Sequence, residues 1–414
     1  MTGPMIACAD VPERAAPREL PHRRPRCAER RDWSWARSTW IVVACVLITG
    51  CAFGSDEESA AERVRVDLEP IERLFLDETD EAYISHLTHG MFLLAFSESG
   101  TLAVLDRGGK RVLLFDRDGQ LLRWAGREGD GPGEFRDLWG VAWDSTDRIW
   151  ITDNQRITVL DRELAVDTTF RADEGVDYAR RMAPVGGGML VAENRWPIEG
   201  PALRRYDLAG RPGPVIFNVP PRDGEAYVQQ EFRPRFHTAG DTVVVASSVS
   251  YPLYLCDPEG NLLDTFGARP PSIGEMTYPG AGAFAGGAQA NAGEWQRSFG
   301  TVSSIWVVHD SLIVVEHTRR HPEAGGIPPW SLWVDVYDRW TLEKLGEDLP
   351  LPVPGFIVDV HDDLLWLVTQ SPGTSEPLGG PWGLTGFRVV IEEGDPGSSW
   401  TWLEKPLEPG SSPP

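Results

Sequence analysis

Histidine and cysteine are the side chains best suited to metal or nucleophilic chemistry, and their spacing in this chain of 414 residues favours neither. His86-Leu87-Thr88-His89 and His317…His321 have intervals that would bring two imidazoles onto one helical face for zinc. Both pairs fall in strand or loop patterning, so no metal site is predicted there. His309 and His361 occupy similar places in the near copies VVHDSL and DVHDDL, and a residue recurring at equivalent places reads as repeat structure. Gly186-Gly187-Gly188 is followed by no helix that could supply amide donors to a phosphate, so it reads as a turn. There is no Gly-x-Ser-x-Gly, and four of the five cysteines lie at or before residue 51, leaving Cys256 alone in the body of the chain. No catalytic set, metal or cofactor is predicted.

Binding chemistry is better represented. The stretches Asn194–Pro201, Gly267–Gly300, His317–Trp330 and Gln370–Thr385 read as long loops and carry Arg195, Trp196, Tyr278, Trp295, Arg297, Arg319, Arg320, His321, Trp330 and Trp382. This aromatic and cationic set would suit a ligand with a flat apolar side or a local negative charge, such as a glycan, a peptide or a partner protein. The competing expectation is that these side chains anchor the loops themselves.

A rigid scaffold must hold such loops. Gly126–Asp161 shows it most clearly: Leu138–Trp143, Arg148–Thr152, Arg156–Leu160 and Ala165–Phe170 alternate as short strands, and Asp144–Asp147 forms a tight reversal. The ending of the third strand recurs as Phe115-Asp116, Leu160-Asp161, Tyr206-Asp207, Cys256-Asp257, Tyr337-Asp338 and, more weakly, Ile391-Glu392. Apart from one interval enlarged by the Gly/Ala/Pro-rich stretch Gly267–Gly300, these copies lie 45 to 54 residues apart. A four-stranded unit at that period predicts an all-β fold, a six-bladed β-propeller in which each blade is covered only by its neighbours. The blades run over Tyr83–Arg123, Leu138–Phe170, Tyr178–Phe217, Phe232–Phe266, Val302–Leu349 and Gly355–Ile391. The leftover strand Val64–Leu68 is expected to close the ring by pairing with Gly386–Ile391.

The best unit resembles the NHL-type repeat of six-bladed propellers, through Gly131-Pro132-Gly133-Glu134-Phe135, Gly140-Val141-Ala142, Ile149-Trp150-Ile151-Thr152-Asp153, Arg156-Ile157 and Leu160-Asp161. The resemblance implies a propeller over residues 63–392 but no particular activity, because proteins of this architecture include binding modules, scaffolds, lactonase-like hydrolases and lyases. An enzyme of the last two kinds would hold a divalent ion at the channel mouth with inner-strand carboxylates, amides or histidines. The inner strands Leu138–Trp143, Arg180–Pro184, Arg233–His237, Val302–Val308 and Phe356–Val360 offer His237 and Asp359, but not the ring of oxygen ligands a hard cation needs. A non-catalytic ligand- or protein-binding module is therefore the primary expectation, and a metal-dependent hydrolase or lyase the alternative.

Residues 1–50 read as a secretory signal: a basic region, then the apolar run Ser38–Gly50, too short to span a bilayer. Ile48-Thr49-Gly50-Cys51 resembles a bacterial lipobox, which implies lipidation of Cys51 and an address in the cell envelope, with residues 51–62 as a polar tether. Beyond residue 50 there are 31 basic and 57 acidic residues, a net charge of −26 that would repel nucleic acid. A monomer held to the membrane by its lipid alone is expected, with residues 393–414 forming a strand remnant and a Pro/Ser/Gly-rich tail.

Overall fold

The computed structural model describes residues 64–77, 84, 93–154, 156–171, 176–195, 202–218, 234–248, 251–274, 300–320, 330–353, 355–370 and 382–393. The chain divides into two units, Met1–Glu57 and Glu58–Pro414, and every described residue belongs to the second. The signal, the lipidation position Cys51 and the tail lie outside the described residues.

Six antiparallel sheets of four strands make up this unit, and the described residues contain no α-helix. The inner strands of blades one to six are Leu94–Phe96, Leu138–Trp143, Val176–Val185, Pro234–Ala239, Thr301–Val308 and Phe356–His361. In blade two the inner strand and the two middle strands are almost wholly buried, whereas the outer strand Val166–Arg171 alternates between half-buried and exposed. Middle strands are covered on both faces by adjacent blades, so they read as continuous apolar runs; only the rim has a wet face.

The recurring Asp is the local cause of the repeat. In blades one to four, Asp116, Asp161, Asp207 and Asp257 each accept backbone N–H bonds through Oδ1 from the residues two and four positions on, which fixes the turn from the third strand to the fourth. Gly119 and Gly260 sit in these turns at φ 80° and 87°. A Cβ at either would lie about 2 Å from a carbonyl oxygen of the preceding outer strand, Phe75 O or Ile216 O. The glycines thus serve the turn and also let the next sheet lean against it. In blade two Leu164 occupies the same position with φ 63°.

Ring closure is longer than the sequence predicts. The strand Val64–Phe75 pairs with Trp382–Glu393 along its whole length, with an irregularity between Pro70 and Glu72. Val64–Leu68 lie opposite Val389–Glu393 rather than Gly386–Ile391, and Gly386 pairs with Glu72. The register is displaced because a closing strand of this length positions itself by its far end. Leu74 is buried there, and the Asp77 amide donates to Gly119 O at 2.9 Å.

The linker between blades one and two is equally built. Glu134 accepts from the Gly131 amide at 2.8 Å and from Arg127 Nε at 2.7 Å, and Phe135 is buried beneath it. Asp153 takes the amides of Arg136 and Asp137 together with the Arg156 guanidinium.

Candidate functional site

Each inner strand has one edge without a neighbouring strand, and its amides and carbonyls need partners near the propeller axis. Side chains from adjacent blades supply several. Asp359 of blade six accepts the Phe96 amide of blade one at 2.6 Å, and Trp143 Nε1 of blade two donates to Ala95 O at 3.0 Å. His237 Nδ1 of blade four accepts the Val307 amide of blade five at 3.2 Å. Glu316, buried in the second strand of blade five, accepts the Ile357 amide of blade six at 2.9 Å and the Ser304 hydroxyl at 2.9 Å. Arg181 donates to Ile305 O at 3.2 Å, and its guanidinium lies 4.1 Å from the ring centre of Trp306.

Asp359, Trp143, His237, Arg181 and Trp306 line an axial cavity of about 280 Å³ walled by all six inner strands. It lies in the half of the axis nearest the tight turns, with exposed Glu98 and Ser145 among its lining residues. Phe96, Trp143 and Trp306 give it flat apolar walls; Arg181, His237 and Asp359 give it polar points.

Burial dominates the electrostatics. It pushes the Asp359 carboxyl up to about 6, against the pull of the Phe96 and Val360 amides and of Arg181. It pushes His237 down to about 3, helped by Arg181 and Arg339, so the imidazole is neutral and its Nδ1 accepts. It lowers Arg181 to about 9, with Arg235 adding to the effect and Asp359 and Glu316 opposing it.

A pH test follows from the sign of the Asp359 shift. Its folded-state value lies above the ordinary 3.8, so the stability it contributes is complete below about pH 4 and is lost as pH rises through about 6. The stability of wild type minus that of Asp359→Asn should therefore fall by up to about 3 kcal/mol between pH 4 and pH 7. His237, depressed from 6.5, has the opposite sign and loses stability as pH falls, so the difference between the two proteins rather than the wild-type curve isolates Asp359. Urea unfolding at the two pH values measures it, and a difference independent of pH would refute the assignment.

The structure brings His237 and Asp359 to the axis together. Arg181, Trp306 and Glu316 were not singled out in the sequence; Arg181 stands beside Arg180 in the predicted inner strand Arg180–Pro184, and the pattern does not say which of the two turns inward. Five of the loop-face candidates lie at the ends of paired strands rather than in loops, because the ladders run further than the alternation shows. Arg320 stands opposite Trp330 and Arg319 opposite Ser331 in blade five, Arg195 opposite Val176 in blade three, and Trp382 opposite Gln370 in blade six. Trp382 is 2% exposed and its indole N–H points to Ile84 O at 3.4 Å, an anchoring contact. Trp196, Tyr278, Trp295, Arg297 and His321 lie outside the described residues, as do His86 and His89. His309 and His361 both make contacts across blades: His309 Nδ1 is 3.2 Å from Asp363 of blade six, and His361 stacks on Phe96 of blade one at 4.9 Å. Cys256 is a buried free thiol whose pKa burial raises to about 11.

Fold and axis together define a six-bladed β-propeller of four-stranded blades. No protein-family model matches the chain, and no curated protein matches it. Among solved structures, a member of the DUF4221 family from Bacteroides vulgatus superimposes with a TM-score of 0.62 at 14% identity, covering 80% of this chain and 99% of that one. A Bacteroides fragilis protein assigned as exported superimposes at 0.53 with 13% identity, over 78% of this chain and 95% of that one. Virginiamycin B lyase from Staphylococcus aureus overlaps at 0.43 and 10% identity, over 79% of this chain and all of that one, too loosely to carry a chemical argument. At such identities the likeness shows the fold alone.

Proposed function

We propose that this chain is an envelope-anchored propeller lipoprotein that binds a small ligand without transforming it. The observation that carries the reading is the axial cavity: a guanidinium stacked on Trp306, flanked by Phe96 and Trp143, in about 280 Å³. That combination fits a small molecule with a flat ring and an anionic group. Acid–base work is less well served. Asp359 and His237 are each engaged by a backbone amide of the next blade, and the cavity-lining Asp144 is held by its own turn, by Arg148 and by Trp150. The long-loop face, with Arg195, Arg319, Arg320 and Trp330, is proposed as the surface offered to a larger partner such as a peptide, a glycan or a protein. Anchoring rests on Ile48-Thr49-Gly50-Cys51, and an exported structural neighbour is consistent with it.

The test uses benzoate and indole-3-carboxylate as probes, with benzamide as a neutral control, in ligand-observed NMR on the full-length protein. Wild type should bind the carboxylates in preference to the amide. Arg181→Met, which keeps the stem against Trp306, should weaken carboxylate binding about tenfold or more. Equal binding by the variant, or none by wild type, overturns the axial reading; Cys51→Ser should separately release the chain from the membrane fraction.

A further inference from the structure

Away from the axis, three strands of blade five bring one imidazole and two carboxylates together. His317 lies on the second strand Leu312–Arg320, Asp335 on the third strand Trp330–Asp338 and Asp348 on the fourth strand Lys344–Pro350. One ligand atom from each lies within 4.8 Å of the others. The sheet register makes this possible. His317 pairs with Trp333 and Val315 with Asp335, so His317 and Asp335 are diagonal neighbours on one face. Opposite Asp335 the ladder is irregular, running from Val334↔Leu349 to Val336↔Gly346, and Asp348 there has φ 51°. Such a bulge turns a side chain that would otherwise face away.

The polar accounting of His317 points to a missing charge. Its side chain is fully buried, and Nε2 is 2.7 Å from the Tyr251 hydroxyl. Nδ1 has no hydrogen-bond partner and faces Asp335 Oδ1 at 3.9 Å, too far for a hydrogen bond. In the tautomer whose Nε2–H donates to Tyr251, the Nδ1 lone pair faces the Asp335 carboxylate with Asp348 close by, an arrangement that a cation held between them would satisfy. The surroundings already have the form of a ligand-orienting shell. Asp335 Oδ1 accepts the Asp348 amide at 2.9 Å, and Oδ2 is held by Lys344 Nζ at 2.9 Å. Asp348 accepts the Ser272 amide at 3.0 Å and is also bonded by the Ser272 hydroxyl. Metal-bound histidines and carboxylates characteristically carry such outer bonds.

We propose that His317 Nδ1, Asp335 and Asp348 form a binding site for one divalent transition-metal ion, with zinc the best fit. One nitrogen and two carboxylate ligands match a three-ligand zinc set completed by water. Calcium, which takes six or more oxygens, is poorly served. Tetrahedral coordination places ligand atoms roughly 3.3 Å apart, so the 3.9 Å gap closes with a small side-chain rotation. Because Tyr251 precedes the third strand of blade four and Ser272 follows its fourth, the ion would tie those segments to blade five. It is separate from the axial cavity, and its test is independent of ligand binding there.

The full-length protein, stripped with chelator and titrated with Zn²⁺, Co²⁺ or Mg²⁺, should take up one Zn²⁺ or Co²⁺ per chain by native mass spectrometry, and its melting temperature should rise. Co²⁺ should give the visible absorption band of a low-coordinate site containing nitrogen. His317→Gln and Asp348→Asn should each weaken zinc binding about a hundredfold or more, beyond what loss of an outer partner costs. Asp348 is only half-buried, so its variant keeps the test valid should the His317 variant not fold. Lys344→Met, which removes a neighbour but no ligand, should still bind one ion. Absence of a stoichiometric ion in wild type, or unchanged affinity in Asp348→Asn, overturns the proposal.

Discussion

A chain lacking Val64–Phe75 is expected to lose the single cooperative unfolding transition of the closed ring and to associate through an opened edge. The deleted strand is the fourth of blade six and pairs with Trp382–Glu393 from end to end. It buries Val66 against Leu349, Phe387 and Val389, and Leu74 against the core shared with blade one. Each apolar side chain withdrawn from water contributes about 1.5–3 kcal/mol, and the ladder bonds are lost as well. The total reaches the order of 5 kcal/mol or more, comparable with the whole stability of a typical domain. The exposed edge of Trp382–Glu393 then offers unpaired amides and carbonyls to another chain. Calorimetry and light scattering measure the two effects, and a peptide of residues 64–76 added in trans should partly reverse them. A deletion protein that stays monodisperse with the wild-type transition would show that the ring does not depend on this closure.

Asp144→Ala should cost about 3–5 kcal/mol, the loss typical of removing one partner from a buried charged network. This carboxylate is a hub. Oδ1 accepts the Thr146 amide at 2.8 Å, its hydroxyl at 2.7 Å and the Arg148 amide at 3.1 Å; Oδ2 accepts Arg148 Nε at 2.9 Å and Trp150 Nε1 at 2.8 Å. Trp150 is fully buried, and Arg148 reaches on to Asp167 and to Leu208 O of blade three. Alanine would leave the buried Trp150 indole N–H without its acceptor and take the carboxylate from Arg148, which keeps Thr146, Asp167 and Leu208 O. Burial acts to raise the Asp144 pKa, but the bonds from Thr146, Trp150 and Arg148 outweigh it and hold the value below the usual range. A depressed folded-state value means that the contribution is present above the unfolded pKa and is lost as pH falls through the folded one. The gap between variant and wild type in urea unfolding should hence be constant from pH 5 to pH 8 and shrink in acid. A gap under about 1 kcal/mol at pH 7 would show that the turn holds without its hub.

Legibility in the sequence followed the range of the interactions. The repeat Asp residues could be read because in blades one to four each closes a turn within five positions, and those local bonds mark four of the six units. Val64–Leu68 was recognisable as a closing strand because it alternates and belongs to no blade, but its register required the far end at Leu74 and Phe75, which the alternation does not contain. The aromatic and cationic loop residues were legible as types; whether Trp382 faces solvent or Ile84 was not, since an indole suits either.

What the sequence determined by itself is therefore the β architecture, the number of blades and the place of each tight turn, all consequences of hydrogen bonds between near neighbours. The axial cavity and the His317, Asp335 and Asp348 cluster were decided only in three dimensions. Inner strands such as Leu138–Trp143 are buried along almost their whole length, so alternation no longer says which side chain meets the axis or the next blade. A bulge opposite Asp335 then selects the carboxylate that joins it, because the one extra residue in the fourth strand changes which way Asp348 points.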